Sequence, residues 1–219
     1  MTNRLSAKHW RGPELAALIA GALLPLAFAP VGIFPIAWLS PALLFLLWLD
    51  APPAVAARRG FAYGLGMFGV GVSWVYVAIH DFGYTAAPVA ALMTLVFVAV
   101  LSLYPAVLGA LGAWLLRRTR PPAVVSLVLI LPALWVLFEW IRGRFLTGFP
   151  WLNLGYSHID TPLAGLAPVA GVYGLSWVVA LGAGALAYVG LRRRPRALLA
   201  LALPLALLGA GAGLGGKQW

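Results

Sequence analysis

The sequence predicts an all-α fold, a polytopic transmembrane helical bundle of about seven spans with its amino terminus in the cytoplasm. Three observations carry that expectation. The 219 residues are 63% hydrophobic and only 9% charged, with a mean hydropathy of +0.97, whereas a soluble domain keeps its surface wetted with roughly 25% charged residues. The apolar stretches reach the length of about 20 residues that a helix needs to cross the hydrocarbon core. Between them the basic residues fall in short clusters, and those clusters alternate along the chain.

The predicted spans are 13–29, 34–50, 60–80, 86–116, 122–141, 162–191 and 197–214, within one transmembrane domain covering 1–219. In lipid the backbone must satisfy its own hydrogen bonds, so helices are expected, and the alternating pattern of a membrane barrel is absent. The first span follows Arg4, Lys8 and Arg11, and Ala27-Phe28-Ala29 mimics a signal-peptidase site. Pro30 directly after it is a poor cleavage context, so an uncleaved span is expected. Pro30 and Pro35 bracket a turn, Pro52-Pro53 and Pro121-Pro122 mark loops, and Pro162 suits a first helical turn capped by Asp160 or Thr161. Pro25, Pro41, Pro105, Pro132, Pro168 and Pro204 lie inside spans and are expected to kink them. The stretch 86–116 exceeds one straight crossing, which calls for tilt or a kink at Pro105.

Orientation follows from counting. Seven spans with an inside start place Arg4, Lys8, Arg11, Arg58, Arg59, Arg117, Arg118, Arg120, Arg192, Arg193, Arg194 and Arg196 on the cytoplasmic side, and Arg142, Arg144 and Lys217 outside, 12 against 3. Basic loops stay inside, so the carboxyl end is expected on the opposite face of the membrane.

Other function classes are excluded by what the charges and side chains are. The net charge of +10 does not form a basic face interleaved with aromatics, so nucleic acid is not an expected partner. Without cysteine there is no disulfide, no thiolate metal site and no thiol nucleophile. His9, His80 and His158 lack ligand-like spacing, so no metal site and no cofactor are expected. Gly60, Ala62, Gly64, Gly66 and Gly69, and later Gly109, Gly112 and Ala113, have the spacing of close helix contacts.

The unusual polar content gathers on the outer face. His80-Asp81-Phe82-Gly83 ends the third span, and an outer interfacial loop over 142–161 follows the fifth. That loop carries Phe145, Phe149, Trp151 and Tyr156, residue types that settle at headgroup level, and Gly143, Gly148, Pro150 and Gly155 break helix, so it is expected to fold back into the interface. Glu139 lies deep in a span and needs a partner. Arg142, one turn on, has the spacing to pair with it. The expected lipid-binding residues are Glu139, Arg142, Arg144, Phe149, Pro150, Trp151, Tyr156 and His80. A structural ion pair and an aromatic anchoring belt are the ordinary alternatives for the same residues. Ser157 and Thr147 stand near His158 in sequence, but adjacency alone does not make a nucleophile and base, so no catalytic residue is expected.

The blocks Glu139-Trp140-Ile141-Arg142-Gly143, Thr147-Gly148-Phe149-Pro150-Trp151-Leu152, Gly155-Tyr156-Ser157 and Pro162-Leu163-Ala164-Gly165-Leu166-Ala167-Pro168, with Leu26-Ala27-Phe28-Ala29-Pro30, Trp74-Val75-Tyr76-Val77-Ala78-Ile79-His80 and Phe82-Gly83, resemble apolipoprotein N-acyltransferase over essentially the whole chain. The resemblance implies a bacterial inner-membrane acyltransferase with a membrane bundle and a periplasmic nitrilase-like domain. It implies transfer of an acyl chain from a phospholipid donor to the α-amine of a diacylated apolipoprotein, by ping-pong chemistry through a thioester supported by a glutamate and a lysine. The chain has no cysteine, and its lysines, Lys8 and Lys217, are terminal. It is therefore expected to be the membrane half, inactive alone, with the nitrilase-like domain supplied in cis or in trans. The rival expectation is a non-enzymatic lipid-binding or transporter-like membrane protein. No internal repeat favours a transporter.

Overall fold

The computed structural model describes residues 11–215, and every regular element among them is helical. The main helices are α1 (Gly12–Ala27), α2 (Ile36–Leu49), α3 (Pro53–Gly71), α4 (Trp74–Phe82), α5 (Ala87–Thr119), α6 (Ala123–Arg142), α7 (Pro162–Arg192) and α8 (Pro195–Leu214). Each predicted span meets a helix. Among the described residues, the helices long and apolar enough to cross are nevertheless fewer than the expected seven. By length and apolarity α5, α6, α7 and α8 qualify, and the bent pair α3 and α4 makes a fifth if it is one span. The reason is the prolines. Pro30 and Pro35 end and start the first two helices, and α1 tightens into a 3₁₀ turn over Leu24–Ala27, so α1 and α2 as described are shorter apolar helices.

The elements converge on two ends. At one end Arg58, in the first turns of α3, pairs with Glu14 of α1 at 2.7 Å. Arg59 donates to the carbonyl of Leu47 near the end of α2. Asp50, Arg117, Arg120 and Arg192 border one cavity where α2, α5 and α7 finish and α6 begins. At the opposite end the close of α1, the α3–α4 junction and the loop after α6 line a second cavity, and α8 finishes against the first turn of α7. The internal arginines counted as cytoplasmic that border these contacts thus share one end. Arg4, Lys8, Lys217 and the side chain of Arg11 lie outside the described residues.

Local chemistry explains the breaks. α3 and α4 meet at Val72-Ser73 with a 53° bend. Pro132, lacking an N–H and crowding the preceding turn, is preceded by a π-helical turn over Ser126–Ile130 that absorbs the mismatch. α7 breaks at Gly171, φ 63°, three residues beyond the expected Pro168. Thr161 is the cap of α7, its hydroxyl accepting from Leu163 N at 3.3 Å. The small residues mostly mark close contacts as expected. A Cβ on Gly60 would meet Pro105 O, and one on Gly66 would meet Leu18 O. Gly69 is the exception, with nothing within 4 Å, because it faces away from both neighbours.

Candidate functional site

The site is built on the last turns of α6. Glu139 and Arg142 are both buried, yet they are not an ion pair within contact distance, contrary to the pairing their spacing predicts. Glu139 Oε1 instead accepts from Trp135 Nε1 at 2.9 Å and from the Leu154 backbone N–H at 2.8 Å. Arg142 turns its guanidinium into the loop. Nη1 donates to Phe149 O at 2.7 Å and also to Trp151 O, and Nη2 donates to Asn153 Oδ1 at 2.7 Å. Its backbone carbonyl accepts from Phe149 N at 2.8 Å. The planar fork of arginine suits several fixed acceptors at once, and buried charges are tolerated when so bonded. The loop supplied partners that three-residue helical spacing could not reveal.

Further in, Gly155 N donates to Ser176 Oγ of α7 at 2.8 Å, and a Cβ on Gly155 would run into Val172 O. This explains the glycine there. His158 is buried, stacked on Trp38 at 5.9 Å and edge-on to Phe34 at 5.4 Å. Burial pulls its pKa down to about 4, so it is neutral at pH 7. Ser157 Oγ lies 2.8 Å from His158 Nδ1 and donates to Leu154 O at 2.7 Å. With that proton committed, Nδ1–H of the neutral ring is the donor to Ser157. Serine and histidine do touch, but as a buried strut; Thr147 stands apart on the exposed turn at φ 73°.

This frame presents an aromatic row. Trp74 and Trp151 are 5.2 Å apart, Trp151 and Phe149 6.2 Å, and Phe149 and Phe97 5.1 Å. Beside Trp74 and Trp151 opens a cavity of about 640 Å³, walled by Pro25, Leu26, Phe28–Val31, Pro150, Leu152, Tyr156 and Ile159. Its size is typical of a small-molecule pocket and its walls are almost entirely apolar.

The expected site residues divide. Pro150, Trp151 and Tyr156 line the cavity, and Phe149 backs it through Trp151. Glu139 and Arg142 lie beneath the loop and hold it. Arg144 is outside, its guanidinium over Trp140 at 4.5 Å and Tyr173 at 5.8 Å. His80 is not brought to the cavity. Its Nδ1 lies 2.7 Å from Thr85 O and its ring 5.4 Å from Tyr76, both within α4 and the turn after it. Sequence reasoning did not single out Asn153, Ser176 or Trp74. The available signals were Trp74, which opens one of the blocks that resemble the family, and Asn153, a lone amide between Leu152 and Leu154.

Fold and site together define a polytopic helical membrane protein whose loop after α6 lines an apolar pocket at one end of the bundle. Residues 20–185 match the family described as the apolipoprotein N-acyltransferase N-terminal domain, and the chain belongs to that family. It is 51% identical over 173 residues to the apolipoprotein N-acyltransferase of Coxiella burnetii, covering 79% of this chain and 35% of that protein. It is 49% identical over 193 residues to that of Azotobacter vinelandii, covering 87% of this chain and 36% of the relative. The enzyme of Pseudomonas aeruginosa strain LESB58 is 47% identical over 182 residues, covering 83% and 35%. The chain spans about a third of the length of these curated relatives.

Proposed function

We propose that this chain is the membrane half of an apolipoprotein N-acyltransferase, which moves an acyl chain from a phospholipid to the amino-terminal diacylglyceryl-cysteine of a lipoprotein. Its task is to hold lipid chains at headgroup height beneath a nitrilase-like catalytic domain. The observation that carries this reading is the apolar cavity of about 640 Å³ bordered by Trp74, Trp151 and Tyr156. Its walls come largely from the Leu26–Pro30, Thr147–Leu152 and Gly155–Ser157 blocks and Trp74, all within the residues that match the family. Amphipathic rings at a membrane interface pack against hydrocarbon while staying near the headgroups.

The same reading sets the loop end on the periplasmic side of a bacterial inner membrane and the amino terminus in the cytoplasm. The clustering of Arg58, Arg59, Arg117, Arg120 and Arg192 at the opposite end supports that orientation. Arg142 acts as a positioning residue in this scheme, and Arg144, on the loop surface, is the cation available to a phosphate.

The test is kinetic, in a full-length enzyme carrying this domain. Trp151→Ala is expected to raise the apparent KM for phospholipid about tenfold with normal expression and insertion, since it removes binding made in the ground state. An unchanged KM in a stably inserted W151A enzyme would leave the aromatic row as a membrane anchor only.

A further inference from the structure

A separate cavity lies at the other end of the bundle. It measures about 490 Å³ and opens where α2, α5 and α7 finish and α6 starts. Arg117, Arg120 and Arg192 stand around its mouth, and Leu49, Leu116 and Leu191 form an apolar side. All three arginines are exposed.

Their charge is left largely uncompensated by the protein. Of the five acidic residues, Glu14 pairs with Arg58 and Asp81 lies beside His80. Glu139 is buried under the loop at the far end, and Asp160 belongs to that same loop. Asp50 is the single carboxylate on the cavity, and among the described residues it makes no ion pair with an arginine. Three cations against one anion leave an excess of two positive charges.

We propose that this cavity binds the headgroup phosphate of a net-anionic phospholipid such as phosphatidylglycerol, with the lipid's chains lying along the leucine side. The guanidinium fork matches the two free oxygens of a phosphodiester. A basic pocket between transmembrane helices, half apolar and placed where helices end, is suited to a lipid headgroup. The excess positive charge selects against zwitterionic lipids, whose ammonium group it repels. The site is separate from the loop-end cavity and does not depend on acyl transfer.

The experiment is native mass spectrometry of the full chain, released from detergent with equimolar phosphatidylglycerol and phosphatidylcholine. The triple variant R117Q/R120Q/R192Q is compared with R193Q/R194Q/R196Q, which removes the same charge next to the cavity. The expected result is selective retention of phosphatidylglycerol, falling about tenfold in the first variant and little in the second. An equal fall in both variants would mean general attraction to basic residues and would overturn the proposal. So would displacement of the lipid by millimolar inorganic phosphate, which would make this a free-anion site. The remaining contrary result is a lower melting temperature in the first variant with lipid retention unchanged, which would assign the arginines to the helix ends alone.

Discussion

Arg142 reaches across the end of α6 to Asn153, Nη2 donating to Oδ1 at 2.7 Å, and both side chains are buried. The same guanidinium holds the carbonyls of Phe149 and Trp151. The position of the Trp151 ring is therefore set by a residue that never touches the cavity.

Arg142→Ala leaves Asn153 Oδ1 buried and the carbonyls of Phe149 and Trp151 part-buried without a donor, at a cost of about 1–3 kcal/mol. Arg142→Lys keeps the charge but loses the fork, so its loss is intermediate. Melting in detergent should rank wild type above R142K above R142A, with loop cleavage by a protease rising in the reverse order. Equal melting temperatures for all three would show that the loop is held by something else.

Gly184 faces Leu127 O so closely that an added Cβ cannot be accommodated, whereas Gly69 has open space. Gly184→Ala should separate α7 from α6 and destabilise the bundle by about 1–3 kcal/mol. Gly69→Ala should melt like the wild type. Matching behaviour of the two variants would contradict the packing described here.

The fold class was legible because apolar length and proline position are local properties of the chain. Every predicted span overlaps a helix, though four or five of the described helices, not seven, are long and apolar enough to cross, and α5 is long as its composition indicated, at 33 residues. What escaped the sequence depended on partners distant along the chain. The spacing of Glu139 and Arg142 pointed to each other, but the folded loop offered Leu154 N to one and three acceptors to the other. His80 shares a polar setting with the loop residues in sequence and yet is held within its own helix–turn. The lining of the cavity by Leu26–Val31 required knowing that α1 ends beside the loop.

His158 titrates at about 4 in the folded protein against 6.5 for a free histidine. A depressed histidine pKa means the unfolded chain takes up the proton first. Stability is thus full above pH 6.5 and declines as pH falls from 6.5 toward 4. Between pH 6.5 and 5 the decline should be about 2 kcal/mol. His158→Phe should flatten that part of the melting profile; an H158F protein with an unaltered slope would place the sensitivity in another group.

Orientation has a direct test. A reporter active only in the periplasm, inserted after Asp160, should be active, and one inserted after Arg120 should be silent. The reverse pattern would turn the bundle over and remove the basis for placing a catalytic domain above the loop.

The side-chain hydrogen bonds of Arg142 all lie within 11 residues of it, the furthest being to Asn153, and Glu139 reaches Leu154 only 15 residues on. Closures this short cost little chain entropy and form early. As the chain is synthesised from its amino end, the loop has its anchors in hand before α7 exists. The bond from Gly155 to Ser176, 21 residues away, must wait for that helix. Assembly of the loop that lines the pocket is thus divided into an early local curl and a later clamp, and α7 enters the membrane against a surface already shaped to receive it.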